Sequence, residues 1–218
     1  MSARLPVLLP LEILHHALNK TANISDTIHS LDKFDVIPSS IFCRIKINPL
    51  KLKDKISSLR RRYDIILIDS SSSLNEEILS AMIASDELFV VTTPDYSTLS
   101  RTLKAVKLAK QRRTPINGLI LNKVHNKNFE LSIDEIEKTA EVPVLAVIPY
   151  DINVLRALSE FMPSTAYRPK SAGSKEYRKL AALMIGEKYK PFKARSLFRI
   201  TPKRQDINRE IFYERVFG

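Results

Sequence analysis

The chain has 218 residues, 44% of them hydrophobic and 27% charged, which is ordinary for a soluble protein and sufficient for one α/β domain. Its single cysteine, Cys43, excludes an internal disulfide, and no apolar run in the sequence approaches the roughly 18 residues of a membrane span. The net charge of +11 favours an anionic partner surface, lipid headgroups or nucleic acid, although solubility alone would also explain it.

Five short apolar runs are spaced along the chain as β-strands would be. The run at 64–68, D-I-I-L-I, is apolar after its first residue, as expected of a strand covered on both faces. The other predicted strands are 34–38, 88–91, 116–121 and 142–148.

Helical patterns lie between these runs. Ser and Glu at the ends of the tetrapeptides 73–76 and 132–135 form capping boxes, which predict two helix starts. Gly186 is predicted to end the last helix of the domain at its C′ position. Further helical patterns cover 51–62, 96–113, 152–160 and 171–186. This alternation predicts an α/β fold with a doubly wound, mainly parallel sheet.

The composition changes after Gly186. Seven basic residues follow before the next acidic one after Glu187, and four phenylalanines are interleaved with the basic stretch and its continuation. We therefore expect a domain over 1–190 and a basic tail over 191–218 that lies outside the core.

Asp69 directly follows the apolar run at 64–68. In an open parallel sheet, ligands bind beyond the carboxyl ends of the strands, where an aspartate can hold Mg²⁺ through water. An aspartate at a strand end also commonly caps the following helix. The residues alone leave both interpretations open.

Five segments in order resemble MinD/ParA-type ATPases, and among these the archaeal MinD-like members most closely. They are Y-D-I-I-L-I-D-S at 63–70, A-S-D-E-L-F-V-V-T-T-P-D at 84–95, G-L-I-L-N-K-V at 118–124, V-P-V-L-A-V-I-P-Y-D-I-N-V-L-R-A at 142–157 and S-A-G-S-K-E-Y at 171–177. The resemblance covers about residues 5–190 and implies a Rossmann-like P-loop NTPase fold with ATP and Mg²⁺ as cofactors.

The resemblance also implies roles for individual positions. Asp69 would be the catalytic Walker B carboxylate and hold Mg²⁺ through water. Asn122 would read the adenine edge, with Lys123 in place of the family's usual arginine. The remaining expected cofactor-binding residues are Thr92 and Thr93 beside the site, and Pro149 and Asp151 in the loop that closes over the base. The plainer alternatives are a strand-end cap for Asn122, a turn for Pro149 and backbone hydrogen bonding for the threonines.

The family's glycine-rich phosphate loop has no counterpart in this sequence. The chain has four glycines and the first is Gly118, whereas the loop needs backbone N–H groups and a lysine near the start of the domain. Ala-Gly-Ser-Lys at 172–175 lacks the upstream glycine and follows no buried strand. We therefore expect a fold without its first β–α unit and a chain that alone does not hydrolyse ATP. Either the flanking strands close on each other, or another polypeptide fills the gap, or the chain is truncated relative to its gene product. The family-like segment directly after Met1 favours truncation.

The resemblance implies a role in spatial positioning, either division-site placement or chromosome partitioning, in the cytoplasm or peripherally at the inner face of the cell membrane. The expected partners are a second copy, another protein, and an anionic membrane reached through 191–218, whose helical wheel is poorly amphipathic. The alternatives are a nucleic-acid-binding partitioning protein, supported by basic faces at 51–62 and 104–113, and a pseudo-ATPase interaction module.

Overall fold

Residues 14–39, 48–70, 76–189 and 202–218 are described by the computed structural model. They divide into a helical unit (14–39, 48–70, 76–86 and 112–114) and a sheet unit (87–111, 115–189 and 202–218). Cys43, the predicted capping residue Ser73 and the first part of the basic tail lie outside the described residues.

The helical unit is built from short elements. The helix α2 (Pro49–Ser57) is capped by Asn48, whose side-chain oxygen accepts a hydrogen bond from the Leu50 N–H. Pro49 takes the first helical position, where its fixed φ is favourable. The predicted strand at 34–38 is reduced to two residues. The elements are α1 (Leu14–Leu18), a 3-10 helix (Ile24–Thr27), β1 (His29–Ser30) antiparallel to β2 (Asp35–Val36), α2 (Pro49–Ser57) and α3 (Glu76–Ala84).

The prediction of a strand at 64–68 is wrong for the structure as described. This segment has no regular secondary structure. Ile66 and Ile68 pack against clusters of the helical unit, whereas Ile65 and Leu67 are 47% and 72% exposed. An apolar run becomes a strand only where a neighbouring strand supplies hydrogen bonds, and the described part of the chain provides none here. The run is therefore covered on one side only.

The sheet unit contains three parallel strands in the order β3-β4-β5, with β4 in the centre. The structure confirms the strands predicted from 88, 116 and 142 onward, and with them the mainly parallel α/β sheet. The elements are β3 (Leu88–Thr92), α4 (Tyr96–Arg112), β4 (Ile116–Val124), α5 (Ile133–Ala140), β5 (Val144–Pro149), α6 (Ile152–Ser159), α7 (Ser164–Tyr167), α8 (Ala172–Met184) and α9 (Arg204–Phe217).

Both faces of β4 are covered, which confirms the doubly wound arrangement. Leu119 and Leu121 pack with side chains of α4 and α5, whereas Ile120 points to the opposite face and packs near α8. Gly118 permits the closest approach in this core, because a Cβ there would lie 2.5 Å from the Leu145 side chain. β4 and β5 read as largely continuous apolar runs because both of their faces are covered, whereas Val91 of β3 is 59% exposed.

Two predicted helix signals are confirmed. Ser132 caps α5 by accepting a hydrogen bond from the Glu135 N–H, and the Glu135 carboxylate accepts from the Ser132 N–H in return. Gly186 follows α8 with a φ of 74°, and the Gly186 and Glu187 N–H groups donate to carbonyls of the last turn. This is the Schellman arrangement, in which the left-handed residue is usually glycine.

The prediction that 191–218 lies outside the core is wrong for residues 204–217. These form α9, which packs on β5. Phe212 is 3% exposed and contacts a cluster with Leu145 and Leu183, and its ring lies 6.4 Å from that of Phe89. The sequence concealed this because the buried side of α9 also carries Asn208 and Arg209, which disguise its apolar stripe.

Polar side chains from α5 and α9 close the outer edge of β5. The Glu137 carboxylate accepts a hydrogen bond of 2.7 Å from the Val144 N–H, and the Asn208 side-chain amide donates one of 2.8 Å to the Val144 carbonyl. Arg204 Nε lies 3.1 Å from the same carboxylate. Side chains thus replace the neighbouring strand that the Val144 backbone would otherwise need.

Asp151 joins the starts of α6 and α8. Its Oδ1 accepts from the Asn153 N–H at 2.9 Å, and its Oδ2 accepts from the Gly173 N–H at 3.1 Å. Burial by itself would raise the pKa of Asp151, but hydrogen bonds from Ser171, Asn153 and Gly173 outweigh it and hold the pKa below its ordinary value. The ionised carboxylate therefore stabilises the folded state.

We predict that Phe212→Ala lowers the free energy of unfolding by about 3–5 kcal/mol, because it removes a buried ring and leaves a cavity. Ile211→Ala is the matched control, since Ile211 is 58% exposed on the same helix, and we expect it to change stability by less than about 0.5 kcal/mol. Urea unfolding measures both. Equal effects of the two variants would contradict the docking of α9 on the sheet.

We predict that Asp151→Ala costs about 1–2 kcal/mol at neutral pH through loss of the helix cap. In the wild type, the ionised Asp151 contributes fully to the free energy of unfolding above the ordinary aspartate pKa of about 3.9. This contribution is lost as the pH falls through the lower pKa that Asp151 has in the folded state. Asp151→Ala should therefore lose less stability than the wild type between neutral and acid pH. An unchanged acid dependence in urea titrations would count against this role.

Candidate functional site

The carboxyl ends of β3, β4 and β5 bring three of the predicted residues to one edge of the sheet. Thr92 lies opposite Leu121, the residue before Asn122, and Pro149 lies opposite Val124. Parallel strands end at the same edge, and ligands of open α/β sheets bind there. This edge is therefore the candidate site of the sheet unit.

Asn122 and Lys123 form an irregularity at the end of β4. The register with β5 shifts between Leu121 and Val124, and Lys123 has a φ of 56°, in the left-handed region. The Asn122 Oδ1 accepts a hydrogen bond of 2.9 Å from the Lys123 N–H. Within the described residues, no partner is seen for the side-chain NH₂ or for the second lone pair of Oδ1. This combination of donor and acceptor is the one that pairs with an adenine edge.

The two threonines are engaged within the sheet unit. Thr92 is buried, and the Thr102 hydroxyl of α4 donates to its Oγ1 at 2.8 Å. The Thr93 hydroxyl donates to Asp95, whose other carboxylate oxygen accepts from the Thr98 N–H at 2.8 Å. The Thr93 hydroxyl and the Thr98 N–H hold the pKa of Asp95 below its usual range. Both threonines thus help fix the start of α4, and their predicted role at a cofactor stays a prediction.

Pro149 and Asp151 flank Tyr150 in the loop after β5. The Tyr150 N–H donates to the Val124 carbonyl at 2.9 Å, which fixes this loop against the end of β4. Because Asp151 caps α6 and binds the start of α8, its position is set by the fold. Both carboxylate oxygens already accept hydrogen bonds from the protein. The predicted place of Asp151 in a loop that closes over the base stays a prediction.

A stacked aromatic pair at this edge was missed by sequence reasoning. The rings of His125 and Tyr150 lie 4.7 Å apart at an angle of 19°, and Phe129 approaches His125 from 6.5 Å. Glu130 fixes the loop by accepting from the N–H groups of His125 and Lys127. No spacing in the sequence indicates that the ring of His125 meets that of Tyr150.

Asp69 belongs to the helical unit, whereas the other six predicted site residues belong to the sheet unit. It is exposed and follows the segment that forms no strand. Across the described ranges, no group of three histidine, cysteine, aspartate or glutamate side chains is placed to hold a metal ion. A single carboxylate suits only a metal held mainly by water and phosphate oxygens, so the magnesium role of Asp69 remains a prediction.

The Ala-Gly-Ser-Lys sequence at 172–175 is the start of α8. Ser171 caps this helix by accepting from the Ser174 N–H, the Gly173 N–H donates to Asp151, and the Lys175 N–H donates to the Ser171 carbonyl. A phosphate loop needs free backbone N–H groups that point at the ligand. These three are occupied, in agreement with the sequence-based rejection of this segment as a phosphate loop.

Comparison with known proteins supports the family inferred from the motifs. A family model described as an AAA domain matches residues 15–157. An uncharacterized ATP-binding protein of Methanocaldococcus jannaschii is 33% identical over 81% of this chain and 68% of its own length. The septum site-determining protein MinD of Bacillus subtilis is 25% identical over 80% of this chain and 65% of its own length. The chain thus spans about two thirds of these relatives.

Solved structures agree. The cell division ATPase MinD of Pyrococcus furiosus is 33% identical, covers 79% of this chain with 75% of its own, and superposes with a TM-score of 0.72. The MinD of Pyrococcus horikoshii complexed with Mg-ADP is 31% identical, with coverages of 82% and 75% and a TM-score of 0.74. The chain has the Rossmann-type P-loop fold and belongs to the MinD/ParA family of ATPases, whose members act in spatial positioning and partitioning.

Proposed function

We propose that the sheet unit binds the adenine base of ATP at the carboxyl ends of β4 and β5, as part of an ATPase that positions division machinery or chromosomes. The observation that carries the proposal is Asn122. Its side-chain amide stands at the irregular end of β4 with donor and acceptor capacity left over. The Mg-ADP complex of the similar Pyrococcus horikoshii protein supports a nucleotide as the ligand.

The residues at this edge fit a nucleotide base better than a metal. Asn122 would pair with the edge of the base, and Pro149 would limit how deeply the base enters the site. The exposed Lys123 would supply positive charge beside the base. When bound, ATP with Mg²⁺ supplies the phosphoryl group that water attacks. This chain's residues at the end of the sheet would bind and orient the base. For the helical unit, the role proposed for Asp69 is to hold Mg²⁺ through water.

We further propose that this chain on its own does not hydrolyse ATP. Phosphoryl transfer depends on groups that neutralise and orient the phosphates. The sequence contains no glycine-rich loop with lysine, and the N–H groups at 172–175 are already used. Its partners would be a second copy or another protein, and its place the cytoplasm or the inner face of the membrane.

A nucleic-acid partner is the second candidate, because α4 presents a basic outer face. Arg101, Lys104 and Lys107 are exposed, and no ion pair with an acidic group is seen for them within the described residues. In the other predicted basic segment, Arg60 and Arg62 pair with Asp86 and Asp35. Lys110 of α4 pairs with Glu141, so it is not counted in the basic outer face. Unpaired cations on one helix face attract a phosphate backbone.

The membrane alternative has less support from the described part of the tail. α9 turns Phe212 inward, and its exposed side carries Glu210 and Glu214 beside Ile207 and Ile211. Acidic residues oppose binding to anionic headgroups. No helix among the described residues is long and apolar enough to cross a bilayer.

We predict that Asn122→Ala weakens adenosine and ADP binding by about tenfold or more, since paired hydrogen bonds to an adenine edge are worth about 1–3 kcal/mol. Chemical-shift titration of the full chain measures this. Asn128→Ala is the matched control, because Asn128 is an exposed asparagine in the following loop. Binding that is unaffected by Asn122→Ala would refute the base site.

The proposal that the chain alone does not hydrolyse ATP has its own test. Phosphate release above background from ATP with the wild-type chain would refute it.

We predict for the second candidate that exchanging both Lys104 and Lys107 for glutamate reduces double-stranded DNA binding. Removal of two phosphate contacts should make the negative slope of log affinity against log salt shallower by about two. Lys127→Glu, a charge reversal of an exposed loop lysine outside α4, makes half of that change in net charge and should have much less than half of the effect. If all lysine variants weaken binding equally, attraction to α4 is not the cause.

A further inference from the structure

A row of large apolar side chains on and after α6 is exposed. We call it the α6 face. Leu158 is 71% exposed and Phe161 is 84% exposed, and the others are about half exposed. Monomeric proteins rarely expose contiguous apolar patches larger than roughly a few hundred Å², and larger ones commonly mark an interaction site. The α6 face consists of Ile152, Leu155, Leu158, Phe161 and Met162.

The α6 face has the geometry of a packing ridge. Ile152, Leu155 and Leu158 follow one another at a spacing of three, so they form one row along the helix. The opposite side of α6 is anchored, because Ala157 is 1% exposed and Val154 faces Gly173 of α8. The exposed ridge is therefore held rigidly in place.

Phe161 has an unusual backbone conformation for an aromatic residue. It ends α6 with a φ of 52°, and the Phe161 and Met162 N–H groups donate to the carbonyls of Leu158 and Ala157. This is the same motif that Gly186 forms after α8, where the left-handed residue is glycine. A bulky side chain is strained there. Since its ring is exposed, packing within the described residues does not offset the strain.

The charges around the α6 face are mostly positive. In the stretch 151–176, Glu160 is the one exposed acidic side chain, whereas four basic side chains are exposed: Arg156, Arg168, Lys170 and Lys175. No ion pair is seen for any of these five side chains within the part of the chain that is described. A partner that covers the ridge would gain from carboxylates at its rim.

We propose that the α6 face docks an amphipathic helix of another protein, with an apolar stripe that packs on the ridge and acidic residues that face the surrounding cations. A second copy is disfavoured, because two α6 faces would bring like charges together. An anionic bilayer is disfavoured, because Glu160 stands between Leu158 and Phe161 and would enter the headgroups. The proposal does not depend on nucleotide binding.

The test uses the full 218-residue chain and a fluorescently labelled helical peptide with a leucine stripe flanked by glutamates. A matched peptide carries lysine in place of glutamate. Fluorescence anisotropy gives the affinity for the wild type, Leu158→Ser and Phe161→Gly. Phe161→Gly removes the ring while it relieves the backbone strain, so its thermal midpoint should rise and lost binding would not reflect unfolding. Ile211→Ser is the control, a substitution of an exposed isoleucine on α9.

We expect the glutamate peptide to bind the wild type and Ile211→Ser alike, and to bind Leu158→Ser and Phe161→Gly about tenfold more weakly, as for central interface residues. The lysine peptide should bind weakly to all four proteins. Equal affinity of all variants would overturn the proposal. So would self-association in sedimentation velocity that Leu158→Ser abolishes, or cosedimentation with phosphatidylglycerol vesicles that depends on Leu158 while the peptide does not bind.

Discussion

The central position of β4 is the constraint on which the sheet unit depends. It pairs with a parallel strand on each side and is covered on both faces, so its residues from Asn117 to Leu121 are all buried. Gly118 allows β5 and the Leu145 side chain to approach this strand closely. Because β4 is fixed from four directions, the point where it ends is fixed as well, and Asn122 stands at that point.

The polar residues at the end of the sheet show how structural and functional demands share the same positions. Thr92, Thr93 and Asp95 fix the start of α4, and Asp151 fixes the starts of α6 and α8. Asn122 differs, since its hydrogen bond to the next residue leaves capacity for a ligand. The family resemblance assigns Thr92, Thr93 and Asp151 to nucleotide binding together with Asn122, whereas the hydrogen bonds of the first three hold the fold. The fixed starts of α4 and α6, together with the left-handed backbone of Lys123, would hold this edge of the sheet rigid before a ligand binds.

The sequence predicted those parts of the fold that depend on local chemistry. The cap at Ser132, the helix end at Gly186 and the apolar strands of the parallel sheet follow from residue type and spacing. The segment at 64–68 was mispredicted because strand formation depends on a neighbour that local sequence does not reveal. α9 was missed because Asn208 and Arg209 lie on its buried side, where they bind Glu137, Glu176 and backbone. The exposed ridge of α6 was missed because the helix is apolar on several sides, which usually indicates burial.

The covered outer edge of β5 hinders the addition of a further strand at that side of the sheet. An unprotected edge strand is a template for pairing with other chains, and proteins commonly block it with charges or coverings. Here Glu137 and Asn208 occupy the N–H and carbonyl of Val144, and α9 lies against the same strand. An incoming strand would have to displace both bonds and detach the helix. Aggregation by strand addition at this side should therefore require prior local unfolding of α9. The stability with which this one helix is docked would then set how readily the sheet aggregates through β5.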